Sequence, residues 1–372
     1  MNKSKLRAVV TAAAIAVTGL CLSAAAQTQD HGDDADDAGT DTTLVPMPAR
    51  PAPHAASSLL LDLTRAGNGW VAVGQHGDIL TSADGRQWKQ VAAPVDTTLT
   101  RVRFLDSSHG WAVGYDGTVL SSADGGASWT LQQFDAAWGR PYFDILFFDA
   151  DHGLLAGANG TLKKTADGGK SWDAVDSEAF ADTPNLYNLV KLGNGTLLIA
   201  GERGFLARSG DQGATWTQLK SPYTGSFFGT LPWGDAGALV FGLRGNAFYA
   251  TDIAKAAPLS AKELAAMHAA ASDAENAAST QNPVSEVAGW VHLKHDDTEP
   301  LFGGAAAGDG AGNDAETGFA EAVFAPAGEL GRDLVIGRGA ARAGFDHGVV
   351  VEAEREQHGL FEPLVDDPGA VD

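Results

Sequence analysis

The chain has 372 residues, a formal net charge of −22 and one cysteine. So acidic a molecule repels phosphate backbones and anionic lipid surfaces, which argues against nucleic acid or a membrane surface as partner. Cys21 lies near the amino terminus, so a chain processed beyond it has no disulfide or thiol chemistry and must be stabilised by packing.

Lys3, Lys5 and Arg7 precede an uncharged stretch from Ala8 to Leu22 and the small residues Ser23-Ala24-Ala25-Ala26. This order reads as a signal peptide over residues 1–26, cleaved after Ala26, with export to the periplasm. Its apolar core is short and Ala-rich for a membrane span. The alternative is a lipid anchor at Cys21, against which Leu20 stands where lipidation wants a small residue. Residues 27–56 follow as a disordered acidic linker, with Asp30, Asp33, Asp34, Asp36, Asp37 and Asp41 among Gly, Thr, Pro and Ala. Unorganised carboxylates lack the fixed geometry of a tight Ca²⁺ site, so no metal is expected there.

From residue 57 to 253 one spacing recurs five times: Gly-x-x-Gly, six residues, Asp. The copies are Gly74/Gly77 with Asp84, Gly114/Gly117 with Asp124, Gly157/Gly160 with Asp167, Gly201/Gly204 with Asp211, and Gly242/Gly245 with Asp252. The aspartates step by 40, 43, 44 and 41 residues, the period of a four-stranded propeller blade. The fold class is therefore all-β, a β-propeller with five clear blades and six or seven in total.

The second unit shows the blade plan. Leu99–Phe104, Gly110–Gly114, Thr118–Ser122 and Trp129–Gln133 are predicted as strands A to D, separated by turn residues. Its C–D segment is an Asp box, Ser122-x-Asp124-x-Gly126-x-x-Trp129. Asp167 with Trp172 and Asp211 with Trp216 match it, and Asp84 with Trp88 forms a copy one residue shorter. These aspartates are assigned to structure, because the same residue stands in successive blades whereas a catalytic acid is needed once. His109 and His152 each follow an Asp by three residues in A–B turns of separate blades, which suits turn packing better than a shared metal.

Past the repeats, Ser260-Ala-Lys-Glu263 forms a capping box before an Ala-rich run, so a helical insertion is expected near residues 258–280. Residues 254–318 are read as a helical and Gly/Ala-rich insertion, with Gly289-Trp290-Val291 as a delayed strand D for the fifth blade. Residues 319–372 are read as a degenerate terminal blade and tail, with strand-like pieces at Phe319–Phe324, Leu334–Gly337, Val349–Val351 and Leu360–Leu364.

The units, best matched from Phe104 to Trp129, resemble the photosystem II stability/assembly factor-like family of Asp-box (BNR, sialidase-like) propellers. The resemblance implies an exported seven-bladed propeller without catalysis that holds another protein during assembly, with an Arg-rich patch for docking. It covers about half the chain.

In such blades the B–C turns and D-to-A links share one face, and the A–B turns and Asp boxes share the other. The first face carries His76, Asn159, Arg203 and Arg244 in B–C turns and Trp138, Arg140 and Tyr223 in links; Tyr142 and Phe227 are read as link residues too. Arginine with aromatic side chains favours a protein or peptide partner bearing carboxylates. The expected function is thus a non-enzymatic, monomeric scaffold, peripheral to the membrane, that binds an envelope or membrane protein without a cofactor. The rival is a sialidase-like glycoside hydrolase using Glu202 and Asp116, against which the absent Arg-Ile-Pro signature counts.

Overall fold

The computed structural model describes residues 45–182, 184–265 and 284–293 in full, and the backbone of residues 301–307, 321–326 and 349–352. The signal segment, most of the acidic linker, and the pieces at Leu334–Gly337 and Leu360–Leu364 lie outside the described residues.

The chain forms a β-propeller of antiparallel sheets whose strands follow sequence order. Blade 1 comprises β1 (Leu60–Ala66), β2 (Gly69–Gly74), β3 (Ile79–Ser82) and β4 (Lys89–Val91). Blade 2 comprises β5 (Leu99–Phe104), β6 (Gly110–Gly114), β7 (Val119–Ser122) and β8 (Thr130–Gln133). Blade 3 comprises β9 (Tyr142–Phe147), β10 (Gly153–Gly157), β11 (Leu162–Thr165) and β12 (Asp173–Ala174). Blade 4 comprises β13 (Leu186–Lys191), β14 (Leu197–Gly201), β15 (Leu206–Ser209) and β16 (Thr217–Gln218). Blade 5 comprises β17 (Phe227–Trp233), β18 (Gly237–Gly242), β19 (Ala247–Ala250) and β20 (Val291–Leu293). A sixth sheet has three described strands, β21 (Leu301–Ala307), β22 (Glu321–Pro326) and β23 (Val349–Glu352).

Blade 5 takes its fourth strand from β20, paired to β19 across the intervening chain, close to the delayed strand D expected at Gly289-Trp290-Val291. The Gly/Ala-rich stretch read as loop from Gly303 supplies strand β21, since pairing with β22 satisfies its backbone whatever its side chains prefer. The helical prediction holds for residues 261–265, where Ser260 Oγ accepts the Glu263 N–H and Glu263 Oε2 accepts the Ser260 N–H. Among the described residues no helix is long and apolar enough to cross a membrane.

The second strands β6, β10, β14 and β18 are buried along their whole length, because each has a strand on both edges and a neighbouring sheet on both faces. Apolar cores therefore lie between blades. Val71, Val73 and Ile79 of blade 1 pack with Val102, Leu120 and Trp129 of blade 2. Trp111 of blade 2 stacks on Phe147 of blade 3 with ring centroids 3.5 Å apart. The first strands β1, β5, β9, β13, β17 and β21 are neighbours in series, which makes strand A the innermost of each blade.

Every strand A carries a register shift against strand B at one place. It falls between Leu60 and Asp62, Leu99 and Arg101, Tyr142 and Asp144, Leu186 and Asn188, and Phe227 and Gly229. The extra residue is then Leu61, Thr100, Phe143, Tyr187 or Phe228. The sixth sheet repeats the shift between Leu301 and Gly303, placing Phe302 at the same register position. A bulge of this kind re-aims one side chain without ending the strand.

Candidate functional site

Hydrogen bonds separate two faces. On one, the residue that opens each B–C turn donates its N–H to the residue just before strand A: Gln75 to Leu59, Tyr115 to Thr98, Ala158 to Pro141, Glu202 to Asn185, and Leu243 to Ser226, all at 2.9–3.1 Å. On the other, the C–D turns contact A–B turns, as when Gly125 N–H donates to Ser108 O and Gly168 N–H to Asp151 O.

The B–C face has a repeated backbone signature. His76, Asp116, Asn159, Arg203 and Arg244 all sit at φ between 53° and 57°, the left-handed region. Five blades thus hold a side chain at one turn position, and Arg203 and Arg244 occupy it on adjacent blades. Both are exposed, as are His76 and Asn159. The Arg203 turn is tied down by its N–H to Ser226 Oγ at 3.3 Å and by a long guanidinium contact to Asp182 O at 3.5 Å.

Between blades 2 and 3, half-buried Trp138 has the Arg140 guanidinium 5.0 Å and the Lys163 ammonium 5.5 Å from its ring. Lys163 also donates to Tyr142 Oη at 2.9 Å. Cation–aromatic pairing of this kind orders a patch that loop position alone leaves open.

Tyr223 is corrected: it is 1% exposed, packs against Phe227 and Phe248, and donates its hydroxyl to Leu243 O, so it offers no surface to a partner. Tyr142 and Phe227, also read as link residues, are 1% and 0% exposed within strands β9 and β17.

Sequence reasoning missed the bulged residues. Phe143 and Tyr187 meet with ring centroids 5.0 Å apart at 64°, and Tyr187 and Phe228 at 5.6 Å and 58°. The three rings form an arc across blades 3, 4 and 5, half-buried and outside the inter-blade cores. Burial raises the Tyr187 hydroxyl above its ordinary value; Asn185 and Arg203 counter it, while Glu202 and Tyr115 add to it.

Also missed was the polar ladder at the next position of strand A. Asp62 accepts the Val102 N–H at 2.9 Å, Asp144 accepts the Leu189 N–H at 2.7 Å, and Asn188 accepts the Thr230 N–H at 3.1 Å. Each side chain joins its blade to the next. At blade 2 the position is Arg101, which donates toward Phe143 O and pairs with Asp62. Arg103 grips both Asp144 oxygens at 2.8 and 2.6 Å and also Leu189 O. Burial pushes the Asp62 carboxyl up, opposed by Arg101 and the Val102 N–H. Burial disfavours charge on Arg101, yet Asp62 and Asp144 hold it above its usual range.

The Asp124 turn has the geometry its sequence asks for. Asp124 Oδ1 accepts Ser128 N–H, Ser122 Oγ accepts Gly126 N–H, and Trp129 Nε1 donates to Gly126 O. Asp167 with Trp172 and Asp211 with Trp216 repeat these bonds, and Asp84 with Trp88 makes a tighter version. His109 and His152 pair with Asp106 and Asp149 of their own turns. Of the rival carboxylates, Glu202 accepts Asn185 N–H and Asp116 accepts the Thr97 hydroxyl.

Residues 80–140 and 132–224 match the family model described as photosynthesis system II assembly factor YCF48. Photosystem II assembly protein Ycf48 of Thermosynechococcus vestitus is 30% identical over 60 residues, 16% of this chain and 17% of that protein. The chloroplastic photosystem II stability/assembly factor HCF136 of Guillardia theta is 41% identical over 56 residues, 14% of each chain. The alignments thus span under a fifth of those relatives' length. The solved structure of YCF48 from Cyanidioschyzon merolae superposes with a TM-score of 0.51 at 15% identity, over 74% of this chain and 81% of that one, which shows a common fold.

Proposed function

Starting from repeats over residues 80–224 that are those of the photosystem II stability/assembly factor-like family of β-propellers, we propose that this chain is a non-enzymatic docking scaffold. It works as a monomer in the periplasm, peripheral to the membrane, and holds an envelope or membrane protein through its B–C face. Arg203, Arg244, Arg140 and Trp138 make the main contacts, with Asn159 and His76 beside them.

The observation that carries this reading is the shared left-handed turn position of Arg203 and Arg244 on neighbouring blades. Two guanidinium groups presented in one register on a molecule of charge −22 make a local site for carboxylates. The relatives' names, which describe assembly and stability of photosystem II, support a protein partner. The glycosidase reading draws less support, since Glu202 and Asp116 both hold turns through hydrogen bonds.

The test is capture from detergent-solubilised envelopes with the native protein and with Arg203→Asn/Arg244→Asn. Selective loss of a membrane protein from the variant's catch is expected. Identical catches, or hydrolysis of a fluorogenic sialoside abolished by Glu202→Gln, overturn the proposal.

A further inference from the structure

Bulges at one register position of every innermost strand turn out a single residue per blade, and in blades 3, 4 and 5 that residue is aromatic. Backbone irregularity repeated in six sheets at a fixed place re-aims side chains, as bulges beside binding sites do. The residues so placed are Leu61 and Thr100, then Phe143, Tyr187 and Phe228.

Three further observations bear on what this arc receives. The rings meet at 64°, edge to face, and at 58°, tilted, so they form a continuous apolar floor rather than parallel plates for stacking sugars. Tyr115, 39% exposed, and Leu61, 38% exposed, leave large apolar surface uncovered near the same end of strand A. Arg203 stands at the edge of the floor, since its own N–H donates to Ser226 two residues before Phe228 and the neighbouring Glu202 accepts from Asn185 two residues before Tyr187, and its guanidinium reaches Asp182 O at a long 3.5 Å.

Building on the docking reading above, we infer that the arc Phe143–Tyr187–Phe228 is a specificity pocket for a large apolar side chain of the partner, and that this side chain lies within one or two residues of a carboxylate held by Arg203. The occupant is an extended acidic–apolar peptide segment. Charge complementarity selects it: the scaffold's acidity repels carboxylates everywhere except beside its few rim cations, so a bound acid must be placed at them, and the aromatic floor then lies next to it. Desolvated aromatic contacts at the centre with a charged group at the rim is the arrangement that concentrates binding energy in few residues.

The test is selection from a displayed library of random decapeptides on the full-length protein. Peptides pairing Phe, Leu, Ile or Met with an Asp or Glu one or two positions away are expected to be enriched at least ~10-fold over peptides with either feature alone. Phe143→Ala/Phe228→Ala, with melting checked, should lose the apolar preference and keep the acidic one. Arg203→Asn should do the reverse. Enrichment unchanged in Phe143→Ala/Phe228→Ala, acidic enrichment without an apolar neighbour, or no enrichment overturns the inference. Failure here with intact capture of an envelope protein leaves the scaffold function standing, whereas loss of capture removes both.

Discussion

Asp144 is fully buried, yet it serves three blades: it caps Leu189 N–H in blade 4, sits in blade 3 and neutralises Arg103 from blade 2. Removing one partner of such a pair strands a buried charge and an unpaired N–H, so Asp144→Ala should lower unfolding free energy by ~3–5 kcal/mol in urea titration. Arg203 and Arg244 predict the opposite kind of effect. A non-glycine residue in the left-handed region costs ~1–2 kcal/mol, and Asn tolerates it better than Arg. Arg203→Asn/Arg244→Asn should therefore melt no lower than the native protein while losing its partner, a sign that separates function from folding. Acid sensitivity also originates at single residues. Hydrogen bonds from Ser171 and Thr215 lower Asp167 and Asp211 from 3.8 to about 2, so their stabilisation is complete above pH 3.8 and is lost as pH falls through about 2. Asp62 is raised, so its contribution runs the other way, being present below 3.8 and lost as pH climbs through its folded value. Melting temperature should fall between pH 4 and 2, and Asp167→Asn/Asp211→Asn should flatten that fall.

At the scale of elements, the hairpin punctuation was the most legible part of the text. Glycine pairs and Ser/Thr-x-Asp turns placed the strands of blade 2 within a residue of β5 to β8, because each turn has a backbone demand that few residues meet. Gly204 shows such a demand: at φ +75° a Cβ there would fall 1.9 Å from Tyr223 O. Gly204→Ala should displace the Arg203 turn, lowering both melting temperature and capture, whereas Gly195→Ala, with open space around it, should show only the cost of its backbone angle. Bulges left no such mark. They are a mismatch between two strands, so neither strand alone records them, and Phe143, Tyr187 and Phe228 read as ordinary alternating hydrophobes. Tyr223 failed for a related reason, since a residue between strands D and A may still point inward, and loop membership says nothing of burial. The polar ladder was hidden because Asp62, Arg101, Asp144 and Asn188 differ in type; what they share is a place in the bulge.

For the molecule as a whole, a strongly acidic body with cationic points on one face implies salt-sensitive docking. Capture should weaken several-fold between 50 and 500 mM NaCl at fixed protein concentration, as screening damps the rim arginines' attraction beyond ~4 Å at the higher salt; capture that strengthens with salt would place the whole burden on the aromatic floor. The ladder at strand A has a further consequence at this scale. Blades 1, 3 and 4 each extend an acceptor forward to the next blade, and blade 4 also receives one from behind, so a second copy of blade 4 placed beside it finds matching ends. Blade 2 breaks the series, because Arg101 reaches forward as a donor instead. A duplication after that blade meets a mismatched joint, which makes the boundary between blades 2 and 3 a place where the array resists being lengthened or shuffled.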